Sequence, residues 1–350
     1  MRLSRTHRRL ATLLLLAMLT VTHAGCYYMQ AATGQWQLLR KSESIDELLD
    51  ADDTGEDLAT RLRLVQEARQ FSVAELHLPD NKSYRRYTDI ERDFVVWNVF
   101  AAPEFSLQPR QWCFPVAGCV SYRGYFARDA AQREAERLKA RGYDVAVGGV
   151  SAYSTLGNFN DPVLSSMLRW DDIQLVGTLF HELAHQVLYV KDDTGFNESF
   201  ATAVEEFGLE RWLKARGRPD DLKTYWQRRQ LREELMTLVA AAREELRGVY
   251  AATVDDNEKR RLKAGRLLEL RQDIDKLFER AGRSASDWLN SDLNNARLAS
   301  MTLYEGWLPA FRSLLRDCGE RLPCFYERAA ELSRLERQAR EERLTLLARR

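Results

Sequence analysis

The stretch that most constrains this chain is Gly177-Thr-Leu-Phe-His-Glu-Leu-Ala-His-Gln186. His181 and His185 are four residues apart, which on an α-helix stacks them on one face. Two imidazoles so placed can grip one metal ion, and Glu182 between them can reach a water on that ion. That is the chemistry behind the HExxH pattern of zinc peptidases. The pattern needs a helix, and the flanking residues predict one. Asp171 or Asp172 can cap it, Gln174 is placed for a capping-box-like contact from Asp171, and Ile173, Val176, Phe180, Leu183, Ala184, Val187 and Leu188 form a wide apolar face. The bland alternative is a helix carrying two histidines for packing. With five histidines in 350 residues, coincidence is the weaker account.

Hydrophobic residues make up 45% of the chain and charged residues 30%, an ordinary globular balance. Basic and acidic residues stand at 52 each, with none of the basic excess of a nucleic-acid binder, so nucleic acid is excluded as a partner. The N-terminus departs from this balance. Arg2, Arg5, Arg8 and Arg9 form a positive leader without an acid, and residues 10–21 form an apolar run too short to span a bilayer. The run ends in Thr22-His23-Ala24-Gly25-Cys26, which resembles a bacterial lipobox. On that reading residues 1–25 are a signal peptide and Cys26 is lipidated, anchoring the exported protein to a membrane of the cell envelope, facing the periplasm. His23 stands where lipoboxes usually carry an apolar residue, so ordinary cleavage after Ala24 or Gly25 is the alternative. Tyr27 after the cysteine, rather than Asp, permits sorting to an outer membrane.

The other cysteines agree with export. Cys113, Cys119, Cys318 and Cys324 form two local pairs, and an even count in an oxidising compartment reads as disulfides. Of the three possible connectivities, Cys113–Cys119 with Cys318–Cys324 is simplest. A four-thiolate zinc site would want shorter spacings.

Along the mature chain, helical spacing is expected through residues 35–44 and again through residues 45–71, with a break near Asp52-Asp53-Thr54-Gly55. Residues 94–100 and 143–150 read as strands, the second extending through residues 151–155. Residues 128–141 read as a helix stopped by Gly142. After the metal helix, residues 197–216 form a second helix. Everything beyond is charged and helical: an arm over about 218–282, a helix over 284–316, and one last helix over 325–350. The expected fold class is α+β, predominantly α-helical, with one catalytic domain over 26–350 and that arm as an elaboration. The alternating charges of the arm read as solvated faces, as do Glu206 and Glu210.

Catalytic zinc takes three protein ligands and leaves one position for water. With no histidine after His185, the third ligand is a carboxylate or the distant His77. In Phe196-Asn-Glu-Ser-Phe-Ala201 the sequence resembles gluzincins, zinc peptidases whose third ligand is a glutamate on the following helix, often in an Asn-Glu pair. The resemblance points to Glu198. Glu205 fits the longer thermolysin-like spacing and shares a helix face with Glu198. Asp192 and Asp193 are alternative ligands, with a place in the connecting turn as the competing reading. Glu182 is then the general base, and gluzincins stabilise the oxyanion with a downstream Tyr or His. The candidates are Tyr304 and Tyr153.

A wider resemblance covers most of the mature chain. Gly25-Cys-Tyr-Tyr-Met-Gln-Ala-Ala-Thr-Gly34, Tyr122-Arg-Gly-Tyr-Phe126, Ala152-Tyr-Ser-Thr-Leu-Gly157, His181-Glu-Leu-Ala-His185, Asn197-Glu-Ser-Phe-Ala201, Asn294-Asn-Ala-Arg-Leu298 and Leu308-Pro-Ala-Phe311 are similar to the bacterial putative aminopeptidase lipoproteins. The resemblance implies a zincin-like (gluzincin) core, Zn2+ as cofactor and a peptide or protein substrate. The Gly-x-Met-Glu-Asn motif with which well-known gluzincin aminopeptidases bind a free amine is absent. Residues 152–157 are a candidate edge strand for substrate, and Asn294, Asn295 and Arg297 either line the cleft or cap and pack. The reading from another class is a non-catalytic zinc-binding envelope lipoprotein acting as a scaffold.

Overall fold

The computed structural model describes residues 27–114, 118–152, 154–155, 157, 159–285, 293–302 and 306–350. Cys26, Tyr153 and Tyr304, singled out above, lie outside the described residues.

Helix α1 covers residues 27–40. A short strand, β1 (Glu43–Ser44), leads into α2 (Ile45–Asp50) and α3 (Glu56–Ala74), with the break where Asp52-Asp53-Thr54-Gly55 predicts it. Strands β2 (Arg86–Thr88), β3 (Val96–Pro103), β4 (Trp112–Phe114), β5 (Gly118–Val120) and β6 (Arg123–Tyr125) follow, then α4 (Arg128–Lys139), β7 (Tyr143–Val150) and β8 (Val163–Leu164). Helices then take over: α5 (Asp172–Ala184), α6 (Thr194–Ala215), α7 (Pro219–Ala251), α8 (Asp256–Arg280), α9 (Asn295–Thr302), α10 (Leu308–Asp317), α11 (Leu322–Ser333) and α12 (Arg337–Ala348). The protein is a mostly helical α+β structure with small sheets. No helix among the described residues is long and apolar enough to cross a membrane.

The longest pairing is antiparallel, between β3 and β7, with β6 on the other edge of β3. A second sheet runs β1-β2-β8, and β4 and β5 form a hairpin in which Cys113 faces Cys119. Both local disulfides, Cys113–Cys119 and Cys318–Cys324, are present.

Three expectations need correction. Strand β7 ends at Val150 and the described residues of 151–157 are not in a strand. The buried carboxylate of Asp161 takes both the backbone N–H and the hydroxyl of Thr155 at 2.8 Å, folding this segment back on itself. The helix expected over 284–316 is at least two. Gly306 and Trp307 form a turn, Pro309 sits at the start of α10 where its missing N–H costs nothing, and the Trp307 N–H is taken by the Ser199 hydroxyl. The last helix is also two, because Arg340 binds the carbonyls of Ser333 and Leu335 that the break sets free.

The main core surrounds α5 and α6, which pack under α3, α10, α11 and α12 through Leu62, Phe180, Phe196, Phe200, Phe311 and Phe325. Gly208 lets these layers meet: a Cβ there would lie 2.6 Å from Leu76 and 3.0 Å from Phe180. A second core sits between α7 and α8. Asn294 and Asn295 do not line a cleft. They fasten α9 to the rest, through Val145 O, Pro103 O, Glu104 O and the Tyr250 hydroxyl.

Candidate metal centre

Asp171 caps α5 by accepting the Gln174 N–H at 2.8 Å, a contact worth about 1 kcal/mol in typical helices. The helix then runs through Leu175, Val176, Leu179, Phe180 and Leu183, all essentially removed from water. His185 is its C-cap residue and keeps right-handed helical angles, so the stacking of His181 and His185 survives to the helix end.

The connection to α6 is pinned at three points. Asp193 caps α6 through the Phe196 N–H and is ion-paired to buried Arg340 at 2.8 Å. Asp192 accepts the Cys119 N–H from the disulfide hairpin. The Asn197 side chain closes a ring with Val190, accepting its N–H and donating to its carbonyl, both at 2.7 Å. The neighbouring Glu198, in the first turns of α6, therefore faces the histidines.

The ligand-type atoms converge. His181 Nε2 lies 3.2 Å from His185 Nε2 and 3.2 Å from Glu198 Oε2, and His185 Nε2 lies 3.7 Å from Glu198 Oε1. Among the described residues, His181, His185 and Glu198 are the group able to hold a metal, with ligand atoms all within 4.8 Å of one another. His77 stands apart, exposed on a turn with φ +52°. Asp192 and Asp193 serve the turn. Glu205 lies one heptad after Glu198 and contacts His181 from the other side, with Oε2 3.1 Å from Nδ1. The two glutamates thus bracket one imidazole. With its Nδ1 on Glu205, His181 turns Nε2 toward His185 and Glu198, a carboxylate-behind-imidazole arrangement typical of metal-bound histidines.

These groups fit a metal. In a tetrahedral zinc site with N and O ligands at ~2.0–2.2 Å, ligand atoms stand roughly 3.3–3.6 Å apart, close to the separations here. Two imidazole nitrogens and a carboxylate packed this closely inside the fold call for a positive charge among them, which a metal ion would supply. The titration of the groups shows the same demand. Burial works against a charged His181, but the hydrogen bonds its ring donates to Glu198 and Glu205 outweigh it and hold the ring well above the usual histidine range. Burial pushes His185 down to about 4, opposed by Glu198. Burial likewise opposes charge on Glu198 and Glu205, yet the contact with His181 leaves both below the usual carboxylate range. Glu182 is pushed up to about 7, mainly by burial, then by the charges of Glu198, Asp161 and Glu205 against the pull of His181.

Sequence reasoning missed part of this surround. Gln186 accepts from Asn81 at 2.7 Å and donates to Ser83, which brings the loop ending in Tyr84 onto the metal helix. Tyr84 is buried with φ +61°; burial, then the charges of Glu182 and Asp161, hold its phenol well above the usual range, so it keeps its proton beside those carboxylates. Nothing local in the sequence marks Tyr84. Glu206 is not a solvated acid: it is buried, with Arg312 forked onto both its oxygens at 2.8 Å and Arg229 at 2.7 Å. Glu210 pairs with Lys214 one turn on, at the surface.

A family model described as "Putative aminopeptidase" matches residues 26–344, and the chain belongs to that family. No curated protein and no solved structure matches it.

Proposed function

We propose that this protein is a zinc-dependent peptidase in which His181, His185 and Glu198 hold the metal and Glu182 is the general base. The observation that carries the reading is the convergence of two imidazole nitrogens and a carboxylate oxygen, with the glutamate Glu182 next to His181 on the same helix. Zinc held there supplies a Lewis acid that lowers the pKa of water and polarises a carbonyl.

The chain's own groups do the rest. Glu205 fixes the His181 tautomer. Glu182 takes a proton from the attacking water and returns it to the leaving amine. Tyr304 or Tyr153 donates to the developing oxyanion. The substrate is a peptide or protein, and the family description favours trimming from the amino end. In this reading the core is zincin-like, of gluzincin type, within one catalytic domain over residues 26–350. Residues 1–25 are removed on export, Cys26 carries the lipid anchor, and the two disulfides suit the oxidising envelope.

Zinc content together with cleavage of a peptide library by wild type and Glu182→Gln tests the reading. Both proteins are expected to hold one zinc per chain, with cleavage by the variant slower by roughly 10²–10⁴-fold. Product masses separate amino-terminal trimming from internal cuts. Stoichiometric zinc with no cleavage by wild type overturns the peptidase reading in favour of a zinc-binding scaffold.

A further inference from the structure

Helix α1 carries two apolar stripes, and the chain covers one. The inner stripe is Tyr27, Gln30, Gly34 and Leu38, at helical spacing. Tyr27 stacks on Phe114 with ring centroids 5.5 Å apart and lies under the Arg123 guanidinium at 4.0 Å. Gln30 accepts the Phe126 N–H at 3.1 Å. Gly34 sits so tightly that a Cβ would lie 2.2 Å from the Phe126 ring, and Leu38 is buried. These contacts fix the helix's rotation, and therefore where its other side points.

The outer stripe is Met29, Ala32, Trp36 and Arg40, at the same spacing, with Tyr28 beside it. Met29 is 68% exposed, Trp36 58% and Tyr28 45%. Arg40 lies over the Trp36 ring at 4.9 Å. Residues 27–42 contain no acid. Beyond the helix end, exposed Phe159 shares with Leu39 the wall of a cavity of about 400 Å³.

We propose that this outer face of α1 lies on a bilayer surface bearing anionic headgroups, with Tyr28, Met29 and Trp36 at headgroup level and Arg40 on the phosphates. Trp and Tyr favour that depth because their rings are apolar at one end and polar at the other. A helix with one apolar aromatic face and a cation at its edge lies in the interface plane. The stripe carries Arg40 and no acid, which suits a lipid surface with anionic headgroups. Placement agrees, since residues 27–40 follow closely in sequence on the apolar leader of residues 10–21. The contact rests neither on the peptidase reading nor on acylation of Cys26. It would orient the molecule rather than leave it on a leash. The loop of Phe159 also carries Gly157, which packs on Gln186 beside the histidines, so the rim of the metal centre is held near the lipid.

The exported protein, processed by its host, is placed in vesicles of phosphatidylethanolamine and phosphatidylglycerol containing dibrominated phosphatidylcholine, which quenches tryptophan within the bilayer. Wild type is expected to lose fluorescence. Trp36→Phe should abolish that quenching, and Trp226→Phe, at another exposed tryptophan, should leave it intact. Replacing phosphatidylglycerol by phosphatidylcholine should weaken it at least twofold. No quenching in wild type, or equal quenching in Trp36→Phe, overturns the proposal. So does a dimer-to-monomer change in Trp36→Phe without quenching, which assigns the face to a second copy of the chain.

Discussion

Two helical hairpins dominate this protein, α5–α6 and α7–α8, and they use the same kinds of charged residue in opposite ways. In α7–α8 the charges lie outside an apolar seam of Leu235, Val239, Leu246, Leu270, Ile274 and Leu277. They pair along their own helix, as in Glu244–Arg247, Glu258–Arg261 and Asp273–Lys276, all partly or largely exposed. Such pairs are worth little. Departures occur where the arm meets its neighbours: buried Lys263 fastens it to Asp144 at 2.6 Å and to the Glu104 carbonyl, and buried Arg229 reaches Glu206 of α6. In α5–α6 the polar side chains lie inside the fold and pair across elements: His181 with Glu198 and Glu205, Asn197 with Val190, Glu206 with Arg229 and Arg312. A charge facing water costs little to keep, whereas one inside must be placed by its partners.

The contrast can be broken by substitution. Arg312→Leu leaves buried Glu206 with Arg229 as its remaining cation of the pair described here, and should cost about 3 kcal/mol in denaturant unfolding, in the range for breaking a buried ion pair. A loss below about 1 kcal/mol would put Glu206 in the same class as the arm's pairs. Asp171→Ala, at the edge of the core, should cost about 1 kcal/mol at neutral pH. Burial raises the Asp171 pKa, but the Gln174 N–H and Arg228 outweigh it and leave it below 3.8. A depressed carboxylate contributes fully above its unfolded value and loses that contribution as pH falls through the folded one. The wild-type advantage should therefore fade in acid below 3.8, as urea melts across pH would reveal. Glu244→Ala, on the arm, should change stability by less than about 0.5 kcal/mol.

What the sequence makes legible follows the same division. The metal helix is readable because its signals are local: a cap, an apolar period and two histidines one turn apart. The arm is readable because its charges and breaks are local too. Glu206 was misread because burial depends on α7 and α10 arriving over it from far along the chain. Glu198 and Glu205 share a helix face, and only the placement of His181 between them separates their contacts. Tyr84 reaches the site through a loop whose anchor, Gln186, gives no sign of its partners. The break at Trp307 is likewise set by a tertiary contact, with Ser199, and the break after Ser333 is held by Arg340, which also reaches Asp193.

In the proposed function Glu198 binds the metal while Glu205 only orients His181. That division of roles is tested most directly by measuring zinc per chain, and zinc affinity, in wild type, Glu198→Gln and Glu205→Gln. Wild type should hold one zinc and Glu198→Gln should fail to retain it through dialysis. Glu205→Gln should keep its site with affinity lowered roughly 10–100-fold, the usual cost of losing a hydrogen-bonding partner behind a ligand. Zinc retained in Glu198→Gln and lost in Glu205→Gln would contradict the account.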